Sequence, residues 1–444
     1  MKESFTADMK LSNELTDVIQ QSSPMLVDYS RAQSPRPLST SANLAALLRF
    51  YNYVPSYNEM RAEPVLLDAM TGKQTFSTYE VQRSTLIDAC ERYDVPKTAI
   101  DEHLIALCQG NNFHPVRQWL ENGKPWDGIN RIDAVIDTLN AREPEYARSV
   151  IKAWLVSAIA ALYEPIFITK LIPVLQGLQS CMKSAWVRRL THVIEGALYE
   201  GSVNPEKPDS VRFATNAWHT ELAELESTTQ NETGKLKAFI TKSEDVYRLP
   251  YAKSPTVKKR QSVFIGTVNG SGFLTDKTGN TRFAVIELTG KVDIDRLNEL
   301  LGWNYNNGRL ANGNNELLRQ FWLEVHHDYT QGASWELDEN TQKMQSMIND
   351  VYTDKGSVYE FIRDTYLNHE CTTAGDWFTA SELATRHGEP PTQASAWGKA
   401  LSSFADEGLI KCKTLRSRRK VYNLPLPLNN STKEVPILFT DANT

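Results

Sequence analysis

Residues 171–186 read Leu171-Ile172-Pro173-Val174-Leu175-Gln176-Gly177-Leu178-Gln179-Ser180-Cys181-Met182-Lys183-Ser184-Ala185-Trp186. A short apolar run, Leu171 to Leu175, leads into a polar loop, and Ala185 to Leu190 can open a helix. Strand, loop and helix in that order are the setting of a phosphate-binding loop, whose pattern is G-x-x-x-x-G-K-S/T. Gly177, Lys183 and Ser184 hold their places, and Met182 stands where the second glycine belongs. In such a loop the lysine neutralises the β- and γ-phosphates and the serine hydroxyl holds Mg²⁺. Backbone N–H groups cradle the phosphate oxygens. A Cβ at the glycine position crowds that approach and restricts φ. The loop therefore predicts ATP and Mg²⁺ as ligands and leaves efficient hydrolysis open.

Downstream residues supply the other parts of a nucleotide site in order. Asn216 to Leu225 is an apolar-leaning strand that delivers two carboxylates, Glu221 and Glu224, at its end. Acids placed there hold the water shell of Mg²⁺ and orient an attacking water. Ser262 to Asn269 is an apolar core closing on an amide, and Asn269 is positioned to sense a γ-phosphate. Arg282 follows a turn and precedes the apolar run Phe283 to Leu288. A guanidinium so placed can stabilise phosphoryl charge across a subunit boundary. Taken singly, a glutamate at a strand end is an ordinary solvated cap, an asparagine a turn former and an arginine a surface charge. Their order after the loop is what points to nucleotide chemistry.

Longer strings carry a family resemblance. They include Asn112-Phe113-His114-Pro115-Val116-Arg117-Gln118-Trp119-Leu120, Trp126-Asp127-Gly128-Ile129-Asn130-Arg131-Ile132-Asp133 and Tyr163-Glu164-Pro165. Asp209-Ser210-Val211-Arg212, Trp218 to Glu224, Leu236 to Lys242, Asp245 to Ala252 and Gly279 to Phe283 continue the series. Over about residues 40–345 the chain resembles the virulence-associated protein E group of phage and mobile-element proteins, superfamily III helicases of the AAA+ type. The resemblance implies a hexameric ring that uses ATP to move or melt DNA during replication. Three positions depart from the family pattern: Met182, Ser180 where another glycine is usual, and Thr281 where a second arginine is common.

Composition sets outer bounds. At 444 residues the chain exceeds what one core usually serves, which predicts two or three domains. No apolar run approaches the length of a membrane-spanning helix. The first residues lack an apolar signal core, so a cytoplasmic location is expected. Cys90, Cys108, Cys181, Cys371 and Cys412 are scattered without paired spacing, which argues against zinc and against a disulfide framework. Cys181, within the loop, would make the site oxidation-sensitive if exposed. A formal charge of −6 is no general footprint for nucleic acid, so DNA contacts must be local. Two acid-free basic runs qualify, Arg248 to Arg260 and Lys411 to Lys420.

The predicted architecture is α/β: a P-loop ATPase core of AAA+ type, a helical N-terminal domain and a C-terminal winged helix. Residues 1–40, rich in Ser, Gln and Pro, read as a disordered tail. Residues 41–145 form the helical domain, with a small β excursion over Met60 to Phe76. Residues 146–345 form the ATPase domain, 350–430 the winged helix and 431–444 a flexible tail. Val246 to Lys259 reads as a hairpin; in the resembled helicases a hairpin here lines the ring channel, and Lys253 is its tip residue for a DNA phosphate. In the last domain Ser357 to Asn368, Phe378 to Gly388 and Thr392 to Glu407 are helices, and Leu409 to Leu415 and Lys420 to Leu424 are strands around a basic turn. A winged helix would set its recognition helix in the major groove, with Gln393, Ser395, Trp397 and Lys399 facing DNA and Arg416, Arg418 and Arg419 on phosphates. Such modules also dock proteins.

Two functions follow. One is an ATP-dependent helicase or replication initiator acting as a homo-oligomeric ring on DNA, with other replication proteins as possible partners. In it Lys183 binds phosphate, Ser184 Mg²⁺, Glu221 and Glu224 the metal water and the attacking water in either order, and Arg282 the neighbour's nucleotide. The other is an ATPase-impaired DNA-binding scaffold that marks an origin, recruits a helicase or interferes with another replicon. Met182 and Ser180 favour the second; Lys183, the carboxylates, Asn269 and Arg282 favour the first.

Overall fold

The computed structural model describes residues 23–223, 225, 235–248, 255–270, 273–274, 280–353, 355–367 and 371–427. The chain divides into two compact units, Met1–Gly270 with Thr281–Ser346, and Ser271–Asn280 with Met347–Thr444.

The first unit begins with a tied segment where composition reads a tail. Asn43 accepts from the backbone N–H groups of Val27 and Asp28 and donates to the carbonyls of Asp28 and Leu38. One buried amide thus satisfies four backbone groups of a polar, proline-containing stretch that has no periodicity to announce it. Thr40 caps helix α1, Ser41–Phe50, whose Leu44, Leu47 and Leu48 share one face. Strands β1 (Tyr53–Asn58) and β2 (Glu63–Asp68) pair antiparallel; β2 falls within the predicted excursion and β1 precedes it. Pro55 hides β1 from sequence reading, because proline within a run argues against a strand. Helices α2 (Tyr79–Arg92) and α3 (Thr98–Cys108) close this core through Leu86, Cys90, Ile100 and Leu104, and β3 (Asn112–Phe113) adds to β1 in parallel.

After α4 (Pro115–Glu121) and α5 (Ile132–Asp137), the helix α6 (Pro144–Tyr163) is buried almost throughout its second half. It packs on a five-stranded parallel sheet. The strands are β4 (Ile172–Gln176), β5 (Leu198–Gly201), β6 (His219–Leu222), β9 (Val263–Val268) and β10 (Phe283–Glu287), in the order β10-β4-β9-β6-β5. All four pairings are parallel. A parallel sheet covered on both faces needs unbroken apolar strands, and every residue of β6 and β9 is buried. Helix α7 (Lys183–Thr191) follows β4, and α8 (Pro208–Thr215) precedes β6.

Between β6 and β9 lies the expected hairpin, β7 (Glu244–Tyr247) with β8 (Thr256–Lys259). Its tip, and with it Lys253, lies outside the described residues, as does Glu224. The hairpin's burial is inverted: Asp245 and Lys258 are inside, while Val246 and Val257 are exposed. Lys258 can be buried because its ammonium donates to the carbonyls of Met60 and Thr215 and to the Asn216 side chain. Arg260 and Asp245 form a buried ion pair at 2.8 Å beside it. The unit ends with α9 (Ile294–Leu301), the hairpin β11 (Trp303–Asn306) and β12 (Arg309–Asn312), α10 (Asn315–Thr330) and the start of α11 (Glu339–Val351). Gly302 stops α9 at φ 76°, where a Cβ would lie 2.4 Å from the Asn314 carbonyl oxygen.

In the second unit, α12 (Ser357–Ile362) continues as a π-helical turn over Arg363–Leu367, so the expected helix changes winding midway. Strand β13 (Cys371–Phe378) has no clear signal in the sequence; it forms by pairing with β15 (Lys420–Pro427) across a register shift. Helix α13 (Ala380–Arg386) has the capping box of Thr379 and Glu382. Helix α14 (Ala394–Asp406) follows a short 3-10 turn, and β14 (Lys411–Thr414) completes an antiparallel sheet in the order β13-β15-β14. The core is Tyr359, Ile362, Leu383, Trp397, Leu401, Phe404 and Leu424. Trp397 is therefore a core residue and not a DNA-facing one. The helical period places 397, 401 and 404 on one inward stripe, and burying an indole outweighs the polar neighbours that made it look exposed.

Candidate functional site

The loop after β4 lies at the carboxyl edge of the parallel sheet, where open α/β sheets hold their ligands. Met182 takes φ 67° and ψ 25°, and Ser180 takes φ 66°. Both non-glycine residues thus occupy the left-handed region that a glycine adopts freely, at roughly 1–2 kcal/mol each. Met182 is 42% exposed. The substitution strains the loop without unfolding it. Cys181 is buried, contrary to the exposed thiol considered from sequence.

Lys183 opens α7 and is 7% exposed. Its Nζ donates to the Gly177 carbonyl at 2.8 Å, the Leu178 carbonyl at 3.0 Å and Asn269 Oδ1 at 2.9 Å. Ser184 Oγ donates to Glu221 Oε1 at 2.5 Å, and Thr267 Oγ1 donates to the same oxygen at 3.0 Å. Glu221 sits in β6, completely buried, and its Oε2 has no hydrogen-bond partner among the described residues. Burial pushes the Glu221 carboxyl above its usual range, against the opposing hydrogen bonds from Ser184 and Thr267. Gly177, Lys183 and Asn269 therefore form one hydrogen-bonded group and Ser184, Glu221 and Thr267 a second, adjoining at the chain neighbours Lys183 and Ser184. Thr267 was not singled out from sequence; a hydroxyl two residues before Asn269 in an otherwise apolar strand was the available signal.

Arg282 is elsewhere. Phe283 pairs with Ile172 at the start of β4, whereas the loop follows Gln176 at its end. Five residues of strand separate the two edges by about 17 Å. Arg282 Nε is buried with no partner among the described residues.

The strings around the sheet have structural work of their own. Arg131 makes a two-pronged bond to Asp127, and Glu324 of α10 accepts from the backbone N–H groups of Arg131 and Ile132. Trp218 donates to the Ala158 carbonyl of α6, and Trp322 to the Leu190 carbonyl of α7. His219 packs edge-on or tilted among Trp154, Trp218 and Trp322, with neither ring nitrogen hydrogen-bonded among the described residues. Burial alone lowers its pKa to about 3, so it is a neutral packing residue.

The virulence-associated protein E-like domain matches residues 120–354. The chain belongs to this family. The matched span holds the whole parallel sheet and both hydrogen-bonded groups at its edge. Among solved structures, the chain is similar to the apo C-terminal region of NrS-1, residues 305–718, at TM-score 0.45 and 11% identity. That match covers 86% of this chain and 98% of the other; the A form of the same region matches at TM-score 0.44 with equal identity and coverage. No curated protein matches.

The second unit presents a separate charged surface. Lys411 to Lys420 are exposed throughout, and a tight turn closed by Leu415 and Arg419 displays Arg416, Arg418 and Arg419. Gln393, Ser395 and Lys399 are exposed on and beside α14. Among the described residues, no helix is long and apolar enough to cross a membrane.

Proposed function

We propose that this member of the virulence-associated protein E-like family is an ATP-dependent DNA helicase or replication initiator of a phage or mobile element, working as a homo-oligomeric, hexameric ring. One observation carries the reading: Lys183, Ser184, Glu221 and Asn269 converge on a left-handed loop at the carboxyl edge of a parallel sheet. The donor set fits Mg²⁺-bound ATP. Lys183 offers an ammonium, α7 an N-terminus with no side-chain cap, and Glu221 a buried carboxylate oxygen beside the Ser184 hydroxyl. Bound Mg²⁺ would supply charge neutralisation for the phosphates; Ser184 and Glu221 are the residues to hold it and its water. Lys183 would exchange its carbonyl acceptors for phosphate oxygens, and Asn269 would report that exchange to β9. Glu224 remains the other proposed base.

Arg282 supports the ring. It lies too far from its own loop to act within one chain, so its proposed role is on a neighbouring subunit's nucleotide. The buried anchors Lys258 and Arg260 suit a hairpin that carries Lys253 into a channel against DNA. The C-terminal unit is read as a winged helix, with Lys399 toward bases and Arg416, Arg418 and Arg419 on phosphates. The test is ATP hydrolysis by the full chain with and without DNA. DNA-stimulated turnover that vanishes in Lys183→Ala supports the enzyme.

A specific observation keeps a second reading in view. Met182 and Ser180 hold the loop under strain where glycines would relax it. A chain that binds ATP and DNA, assembles and never turns over would be the scaffold.

A further inference from the structure

The sheet of the C-terminal unit has one face on the core and one face toward solvent. Tyr422 and Leu424 of β15 point inward and are buried. Side chains directly opposite each other share a face, and Trp377 of β13 pairs with Asn423, which pairs with Lys411 of β14. Trp377, Asn423, Lys411 and, two residues on, Lys413 therefore line the outer face. Trp377 is 38% exposed. The Lys413 ammonium lies 3.8 Å from its ring centre, over the indole face. Gly375, on the same face, keeps the floor flat: a Cβ there would come within 2.6 Å of Asn423 Oδ1. Arg416, Arg418 and Arg419 extend the positive charge along the adjoining turn. Within 375–378 and 411–424 the one acid is Asp376, which pairs with Leu424 and so belongs to the other face.

A part-exposed indole capped by an ammonium within a mostly basic field has a definite complement. Polyanions satisfy the charge, but duplex DNA hides its base faces in the stack and offers an indole nothing to lie against. An unpaired strand offers both a phosphate every nucleotide and a free π-face. We propose that this outer sheet face binds single-stranded DNA, one base stacking on Trp377 while Lys413 swings from the ring to a phosphate beside Lys411. The site is independent of the nucleotide loop and adds to the duplex contact proposed for the basic turn, with which it shares only charge.

The test uses the full chain without nucleotide, a labelled oligo(dT), and a blunt duplex of matched length. Trp377→Ala should weaken oligo(dT) binding on the order of tenfold, the loss of one stacked base, and leave duplex binding unchanged. Trp377→Phe, which keeps a stacking face, should recover most of the loss. The slope of affinity with salt should be the same in Trp377→Ala as in wild type, because stacking releases no counterions. Lys411→Ala with Lys413→Ala should flatten that slope by roughly 0.7 for each phosphate no longer neutralised. Unchanged oligo(dT) affinity in Trp377→Ala overturns the proposal, as does an equal loss on the duplex. If Arg416→Ala, Arg418→Ala and Arg419→Ala together weaken duplex binding while Trp377 has no effect on the single strand, the duplex reading stands and this one falls.

Discussion

Lys183 and Asn269, 86 residues apart in the chain, meet through a hydrogen bond of 2.9 Å from Nζ to Oδ1. The bond joins the first residue of α7 to the residue after β9 and so ties the loop to the sheet edge. The ammonium's other acceptors are carbonyls of its own loop, the partners a phosphate would displace.

If that exchange happens, ATP should raise the melting temperature of the wild-type protein and not that of Lys183→Ala. A ligand at a hundredfold its Kd stabilises by about 2.7 kcal/mol, several degrees for a unit of this size. Differential scanning with and without Mg²⁺-ATP reads it. Equal shifts in the two proteins would remove the phosphate-binding reading of the loop.

Met182→Gly separates strain from chemistry. Glycine relieves the left-handed cost of about 1–2 kcal/mol but adds about 0.4–1 kcal/mol of unfolded-chain entropy, so melting without ligand should move little. Turnover should rise several-fold as the backbone gains closer approach to the phosphates. Steady-state hydrolysis beside a melting curve checks both; unchanged turnover would mean that the methionine is already accommodated.

Arg282→Ala should still show the ATP-dependent thermal shift yet lose DNA-stimulated hydrolysis by a hundredfold or so, on the order of a missing phosphoryl-stabilising group. Mixed with Lys183→Ala, it should regain part of the activity, since some interfaces then hold an intact lysine and an intact arginine. No recovery on mixing, or a wild type that stays monomeric with ATP and DNA, would count against the ring.

Acid should unfold the first unit through its buried histidines. His219 and His114 both have pKa values lowered to about 3, against an ordinary value of 6.5, chiefly by burial. Below 6.5 the unfolded chain takes up protons that the folded one refuses. Their contribution is therefore full above that pH and is lost toward pH 3, at about 1.4 kcal/mol per pH unit for each ring. His219→Phe, in its nest of tryptophans, should leave stability at pH 7 within about 1.5 kcal/mol and move the acid midpoint downward. Denaturant melts between pH 7 and pH 4 measure it, and an unmoved midpoint would contradict the assignment.

For the basic turn, Arg416→Ala, Arg418→Ala and Arg419→Ala together should weaken duplex binding and flatten its salt dependence by roughly one unit for each phosphate no longer neutralised. A titration series across salt concentrations provides the slope. Retention of the full wild-type slope would move this unit toward protein docking.

Much of the sheet was legible because its strands announce themselves locally. Leu171 to Leu175, Ser262 to Asn269 and Phe283 to Leu288 are apolar runs bounded by polar residues, and burial on both faces demands that composition. The family strings were legible as well, and with them Lys183, Ser184, Glu221 and Asn269, which the fold gathers at one edge of the sheet. Tertiary structure alone decided what those residues touch. Thr267 became a partner of Glu221, and Arg282 went to the far edge, because strand register fixes which distant residues meet. Asn43 held residues 24–40 and β15 recruited β13 for the same reason: backbone groups are satisfied by whatever the fold brings near, which no local period encodes. Trp397 turned inward because helix rotation is set by total buried area, not by one residue's neighbours in the chain.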